Sequence, residues 1–452
     1  VYFGLSFFRG SSPAAAQGLP SDVVVAVELN LAPAAADQLA LARIVNKFPV
    51  DDQMSETDNY KEALWNLLPD DADAPPFSEI EPWLGDSVAM GFRENALTSS
   101  ASGDRFILAI ETKDKGRAVA FAAAEFGDDT QVFFVDDIMV VADASDSVTA
   151  DSIQAAPLAD DEEYQADLAK LRGGSLATVW FGSGAAEMLI DEAGETTGVT
   201  PTADLEMLRG MHGAMGVKVE ENKLTLESQI KTPNAPDVDV DDVRDFASAL
   251  PGNALGAFAI ATAEESFTQL WDVVQQDPSM VQAANDLGIT SAADLYALIG
   301  KEVGVSVAMD EQAGTPIIGA RFVTENPAKQ KEILDNLNEL MAQSGMGEAP
   351  FTLEQDGDAA YLAFGQGIDA VRNPSSTLGD SDAYKDVVDG DADSVFFVDF
   401  NAIKQLSFYQ EAVSSSSDAE MAKWLEPLRT MGGVATNGGD DYSTSEFHVT
   451  FN

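Results

Sequence analysis

Leu19-Pro20-Ser21-Asp22-Val23-Val24-Val25-Ala26-Val27-Glu28-Leu29 returns 231 positions later as Leu250-Pro251-Gly252-Asn253-Ala254-Leu255-Gly256-Ala257-Phe258-Ala259-Ile260. In each copy a Leu-Pro pair and a polar turn precede a β-branched or apolar run of strand length. The first run predicts a strand over 22–31 and a helix over 33–47; the second predicts a strand over 254–261 and a helix over 264–275. Further landmarks follow in the same order. Trp83-Leu84-Gly85-Asp86-Ser87-Val88 matches Leu298-Ile299-Gly300-Lys301-Glu302-Val303. The strand over 106–112 and its Ala-rich helix match 317–324 and the helix that Asn326-Pro327 opens, with Asp114 and Asn326 as N-caps.

The hairpin over 132–142 matches 359–365, Tyr164 matches Tyr384, and Val179-Trp180-Phe181 matches Val395-Phe396-Phe397. Each half ends on a hairpin, one turning at Glu221-Asn222 and one at Asn437-Gly438-Gly439-Asp440. The landmarks keep their order at offsets of 212 (Thr112 to Thr324) to 231 (Leu19 to Leu250). Neighbouring strands can pair antiparallel, so the fold class is α+β. The expected architecture is two tandem related domains, each a mainly antiparallel sheet with packed helices. Their bounds are 19–230 and 250–452, after an apolar segment and tether at 1–18 and on either side of an acidic lead-in at 231–249.

The 452 residues are 45% hydrophobic, enough for large cores, yet the net charge is −52. That sign argues against DNA or RNA as a partner, whose phosphates need Lys and Arg, and against electrostatic docking on anionic lipid. The acids are spread along the whole chain. Such a surface self-repels at low salt and stays soluble at high salt, which fits a salt-adapted source or an acidic exported protein. With no cysteine, thiolate chemistry and disulfides are absent, and two histidines, His212 and His448, cannot build a multi-histidine metal centre.

The apolar run Val1-Tyr2-Phe3-Gly4-Leu5-Ser6-Phe7-Phe8 is too short to span a bilayer, which takes about 20 residues. It reads as the outer end of a longer apolar segment, followed by a Gly/Ser/Pro/Ala tether. Alternation of Val1, Phe3, Leu5 and Phe7 also suits a strand that inserts into a neighbour's sheet edge. Val1, Tyr2, Phe3, Leu5, Phe7 and Phe8 are therefore the candidate membrane or assembly residues.

Motif by motif, the chemistry is thin. Asp237-Val238-Asp239-Val240-Asp241-Asp242 has the alternate acids of a calcium loop, but Asp242 stands where Gly is needed and Ser248 where Glu is needed. Asp389-Gly390-Asp391-Ala392-Asp393 fails in the same way. Gly182-Ser183-Gly184-Ala185-Ala186-Glu187 resembles a dinucleotide loop whose third glycine is replaced by Glu187. His212 and His448 read as structural, and no carboxylate pair stands out among 77 acids. The sequence selects no catalytic, cofactor-binding or metal residues. The helix over 118–126 reads as packing on the sheet, with a lipid-holding cavity beneath it as the alternative.

The chain resembles the uncharacterised bacterial family DUF3352 through Leu19-Pro20-Ser21-Asp22, Gln38 to Lys47-Phe48-Pro49, Glu81-Pro82-Trp83-Leu84-Gly85 and Ile110-Glu111-Thr112-Lys113-Asp114. The resemblance implies an N-terminally anchored, extracytoplasmic envelope protein and brings no catalytic residues. The leading expectation is a non-enzymatic structural or accessory component acting through protein contact. The alternatives are a carrier or sensor of a lipid-like apolar ligand, and a self-assembling surface subunit using the N-terminal segment.

Overall fold

The structure, a computed structural model, describes residues 14–49, 59–65, 75–93, 106–188, 190, 208–234, 238, 240–310, 315–343, 351–364, 367–414, 419–439 and 441–452. It is mixed helix and strand with extensive antiparallel sheet, as the sequence predicts. The chain divides into two compact units. Unit 1 is 1–236 with Gly438–Thr444; unit 2 is 237–437 with Ser445–Asn452.

Unit 1 carries β1 (Val23–Asn30), β2 (Leu84–Arg93), β3 (Phe106–Thr112), β4 (Thr130–Val135), β5 (Ile138–Asp143), β6 (Ala177–Phe181), β7 (His212–Glu220) and β8 (Lys223–Lys231). They lie in the order β4-β5-β3-β2-β1-β6-β7-β8, every pair antiparallel. Unit 2 carries β9 (Ala254–Ala261), β10 (Glu302–Asp310), β11 (Thr315–Val323), β12 (Phe351–Asp356), β13 (Ala359–Phe364), β14 (Ser394–Asp399), β15 (Leu428–Thr436) and β16 (Tyr442–Phe451), whose first three residues are counted with unit 1. Their order is β12-β13-β11-β10-β9-β14-β15-β16. Position for position the two orders coincide.

Small details coincide as well. The Leu158 N–H donates to the Leu19 carbonyl at 2.8 Å, and the Leu378 N–H to the Leu250 carbonyl at 2.9 Å. Thr112 N–H donates to the Asp137 carbonyl at 2.8 Å, and Thr324 N–H to the Asp358 carbonyl at 2.9 Å. Asp161 caps the Glu162–Leu168 helix on the Tyr164 N–H, and Ser381 caps the Asp382–Lys385 helix on the Tyr384 N–H.

One landmark shifts. Trp180 lies opposite Ala26 and packs edge-on to Tyr164, ring centroids 5.4 Å apart. Phe397 lies opposite Ala257 and packs edge-on to Tyr384 at 5.5 Å. Trp180 therefore corresponds to Phe397 and not to Phe396. Side chains alternate across a strand, so a slip of one residue would have placed the ring on the wrong face.

In each unit one sheet face is closed by the core. In unit 1 it buries Leu19, Ala26, Ala89, Ile107, Ala109, Ile153, Leu158, Tyr164 and Trp180. In unit 2 it buries Val243, Phe246, Leu250, Ala257, Ala259, Leu378, Tyr384, Val395 and Phe397. The sheet residues on this face are mostly small because the covering chain comes close. A Cβ on Gly304 would stand 2.8 Å from Phe246 and 3.0 Å from Leu250; one on Gly91 would stand 2.8 Å from Val23.

Candidate functional site

On β9 and β10 the large apolar side chains point to the opposite face, as Val88, Leu108 and Met139 do in unit 1. In unit 1 helices cover part of it. Phe77, Ile80 and Trp83 with Ala118 and Ala122 of the Lys115–Glu125 helix pack over Met139 and Val141. This is the sheet packing expected of the helix over 118–126. Leu29, Phe106 and Leu226 remain exposed.

In unit 2 the corresponding face is open across its centre. Phe258 of β9 lies opposite Val305 of β10, Val307 opposite Ile318 of β11, and Ile318 opposite Phe364 of β13. These five side chains are 36–43% exposed. Half-buried Phe396 continues the row on β14, opposite Phe258, and Phe351 on β12, opposite Phe364. The helices Ser266–Gln276, Pro278–Leu287, Ala292–Ile299 and Pro327–Gln343 are tied to one another, and Gln355 of β12 at the sheet edge donates to the Pro327 carbonyl at 2.9 Å. Phe267 packs on Tyr296 at 5.9 Å, Lys329 Nζ donates to the Gly288 carbonyl at 2.8 Å, and Asn336 Nδ2 donates to the Leu287 carbonyl at 3.0 Å. A sheet face solvated in this way ordinarily alternates to polar residues; this one does not.

The second feature is a polar cluster inside unit 1. Asp167 is fully buried and accepts from Trp180 Nε1 at 2.8 Å and from the Tyr442 hydroxyl at 2.7 Å, with His212 Nδ1 2.8 Å from Oδ1. Lys170 lies over the Tyr442 ring, 4.7 Å from its centroid. Glu28, the one acid within the apolar part of β1, is buried and accepts from the Tyr164 hydroxyl through Oε1. Its Oε2 meets no hydrogen-bond partner among the described residues. Burial pushes the Glu28 carboxyl up to about 7, against a smaller opposite pull from Tyr164. The Tyr164 phenol is raised by burial and by Glu28.

In unit 2 the matching places hold Ala259 for Glu28 and Val387 for Asp167. The Tyr384 hydroxyl is buried with no partner among the described residues, and burial raises it to about 12. Glu28, Tyr164 and Asp167 are buried, and Asp167 reaches outward to His212 and Tyr442, which are partly exposed.

The motifs read from the sequence fall elsewhere. Val1, Tyr2, Phe3, Leu5, Phe7 and Phe8 lie outside the described residues. At the dinucleotide-like turn the Ser183 N–H donates to Glu163 Oε1 at 2.8 Å, so a carboxylate occupies the position a phosphate would take. Of the first acidic run, Asp237 and Asp239 lie outside the described residues; Asp241 pairs with Lys301 at 3.1 Å, and Asp242 accepts from the Arg244 N–H at 2.9 Å. Asp389 accepts from the Gly390 N–H at 2.9 Å. Among the described residues no His, Asp and Glu side chains group as a metal site, and no helix is long and apolar enough to cross a membrane. No protein family, no curated protein and no solved structure matches the chain.

Proposed function

We propose that the chain is a binding protein for lipid-like apolar ligands, built from two related copies of one eight-stranded fold. The open face of β9, β10, β11 and β13 receives the hydrocarbon chain. The matching strand orders support the duplication. The observation that carries the binding reading is the unbroken row Phe258, Val305, Val307, Ile318 and Phe364, exposed on a face without charge. That row presents on the order of 350 Å² of apolar surface, the size at which a patch on a single chain is often functional. Covering it, with a matching area of ligand, is worth about 18 kcal/mol gross. Association costs on the order of 10 kcal/mol, which leaves micromolar affinity. A sheet face offers no backbone groups to pair with a peptide, whereas a hydrocarbon asks for none.

In this reading the protein works outside the cytoplasm, tethered through the segment 1–8. The apolar run supports that placement. A structural or accessory role through protein contact would use the same open face, and the titration below separates the two. The full chain is titrated with a pyrene-labelled alkane. Saturable micromolar binding is expected. Ile318→Asp and Phe258→Asp should each weaken it at least tenfold, while Leu270→Asp, at an exposed helix position, should leave it unchanged. Absence of saturable binding, or equal loss in all three variants, overturns the proposal.

A further inference from the structure

We infer that the open face of unit 2 discriminates by head group: it takes long-chain molecules that carry no negative charge and rejects anionic amphiphiles such as fatty carboxylates. The inference rests on the binding reading above and adds the class of ligand.

Two observations carry it. The first is the chemistry of the face. The paired positions from β13 to β14 that share it include Phe364, Ile318, Val305, Phe258 and Phe396; the polar side chain among them is Ser394, and none is charged. A carboxylate laid there finds no cation and no set of donors to replace its water.

The second is the charge around it. The chain carries 77 acids against 25 bases. Several cations of unit 2 are matched to acids, Lys301 to Asp241 at 3.1 Å, Arg372 to Glu354 and Asp356 at 2.9 Å each, and Arg429 to Asp386 at 2.9 Å, while Lys404 donates to the Glu426 and Leu428 carbonyls at 2.8 Å. Arg321 lies on the other face of the sheet, over the Phe246 ring at 4.8 Å. An approaching anion therefore meets a chain of net charge −52 and a face without a cation of its own, and one unit of charge in a field of a few kT costs about tenfold in affinity. An alcohol or an isoprenoid of the same length feels no such cost.

Two probes with one sixteen-carbon chain test this, hexadecanol and palmitate. Both are used below micelle formation at about pH 9, in about 0.1 M and about 2 M salt, and bound probe is counted by equilibrium dialysis against the full chain. The shared chain makes the affinity ratio a measure of the head group alone, since salting-out acts on both probes. Hexadecanol should bind about tenfold tighter than palmitate at the lower salt, and the ratio should fall towards one at the higher salt, where the Debye length is about 2 Å. Ile318→Asp should weaken hexadecanol, which ties the measurement to this face. Equal affinities at low salt, or a ratio that does not move with salt, overturn the head-group inference and leave the binding reading standing. Failure of both probes to bind at either salt overturns the binding reading and this inference with it.

Discussion

Tyr164 and Tyr384 stand at matching places in the two units, and the same substitution should act on them with opposite sign. Tyr164 donates its hydroxyl to Glu28 Oε1, and the other carboxyl oxygen, Oε2, has no partner among the described residues. Tyr164→Phe leaves a buried carboxyl with neither oxygen paired, at a cost of about 1–3 kcal/mol. The Tyr384 hydroxyl is buried and unpaired, with Ala259 where Glu28 would be. Tyr384→Phe removes an unpaired polar atom and keeps the ring against Phe397, so it should be neutral or stabilise by up to about 1 kcal/mol. Both variants change the unfolded chain in the same way, so the difference between them cancels most denatured-state effects. It should amount to about 2 kcal/mol, or roughly 4–8 °C in midpoint for a unit of this size. Urea unfolding followed by tryptophan fluorescence measures it, because Trp65, Trp83 and Trp180 lie in unit 1 while Trp271 and Trp424 lie in unit 2. Amide exchange in β1 and β9 locates each effect. The loss in Tyr164→Phe should be larger at about pH 8 than at about pH 5, since the Glu28 carboxyl titrates near 7. Equal destabilisation by the two variants would refute the reasoning.

Other perturbations follow from the same cores. Glu28 is raised from 4.5 to about 7 in the fold, so between those values the unfolded chain gives up a proton that the folded chain keeps, and stability falls as pH rises. Glu28→Gln should therefore be the more stable protein above pH 7 by roughly 3 kcal/mol, with the gap closing below pH 4.5, as read from urea midpoints across pH. Asp167→Val should cost about 3–5 kcal/mol by stranding the Trp180 N–H and the Tyr442 hydroxyl. Adding Trp180→Phe should recover part of that, and strict additivity in the double-mutant cycle would exclude the shared network. Gly304→Val drives a side chain into Phe246 and Leu250 and should destabilise by about 1–3 kcal/mol in chemical denaturation. The thermal midpoint of the wild-type chain should climb from low to molar salt as its net charge of −52 is screened; a flat response in calorimetry would remove self-repulsion as a factor.

Much of the strand order is legible in the sequence because turns and glycines punctuate it locally. Glu221-Asn222 closes β7 on β8, with Glu221 at φ 36°, and the Leu-Pro pairs mark where β1 and β9 begin. The partner of Trp180 differs by one residue from the sequence match because Val-Trp-Phe and Val-Phe-Phe align better in the frame the structure does not use, where Val179 would meet Val395 rather than Phe396. Glu28 carries a legible signal, a lone acid at an inward position of an apolar strand. Asp167 does not: in a chain with 77 acids, a buried one looks like its neighbours, and Tyr442, which it binds, lies 275 residues away. The open face is hidden for another reason. β9 and β10 are apolar on both sides, which ordinarily reads as a strand buried on both. The usable signal is size. Ala257, Ala259, Gly304 and Ser306 alternate with Phe258, Val305 and Val307, and the small set faces the closed core.

That alternation links the packing to the proposed function. Phe246 and Leu250 sit so close to the sheet that Gly304 has no room for a Cβ to spare, and bulk on these strands has to go to the other side. In unit 1 the bulk is used to seat helices over Met139 and Val141; in unit 2 the helices bind one another and the bulk stays exposed. An apolar patch of this size on a weakly charged protein would draw copies together face to face. With a net charge of −52, two copies repel before their patches meet, over about 10 Å at 0.1 M salt. An uncharged chain passes through the same field without cost. The acidity, which alone names no partner, thus becomes on this reading the filter that keeps the face open to neutral hydrocarbon and closed to other copies and to anions.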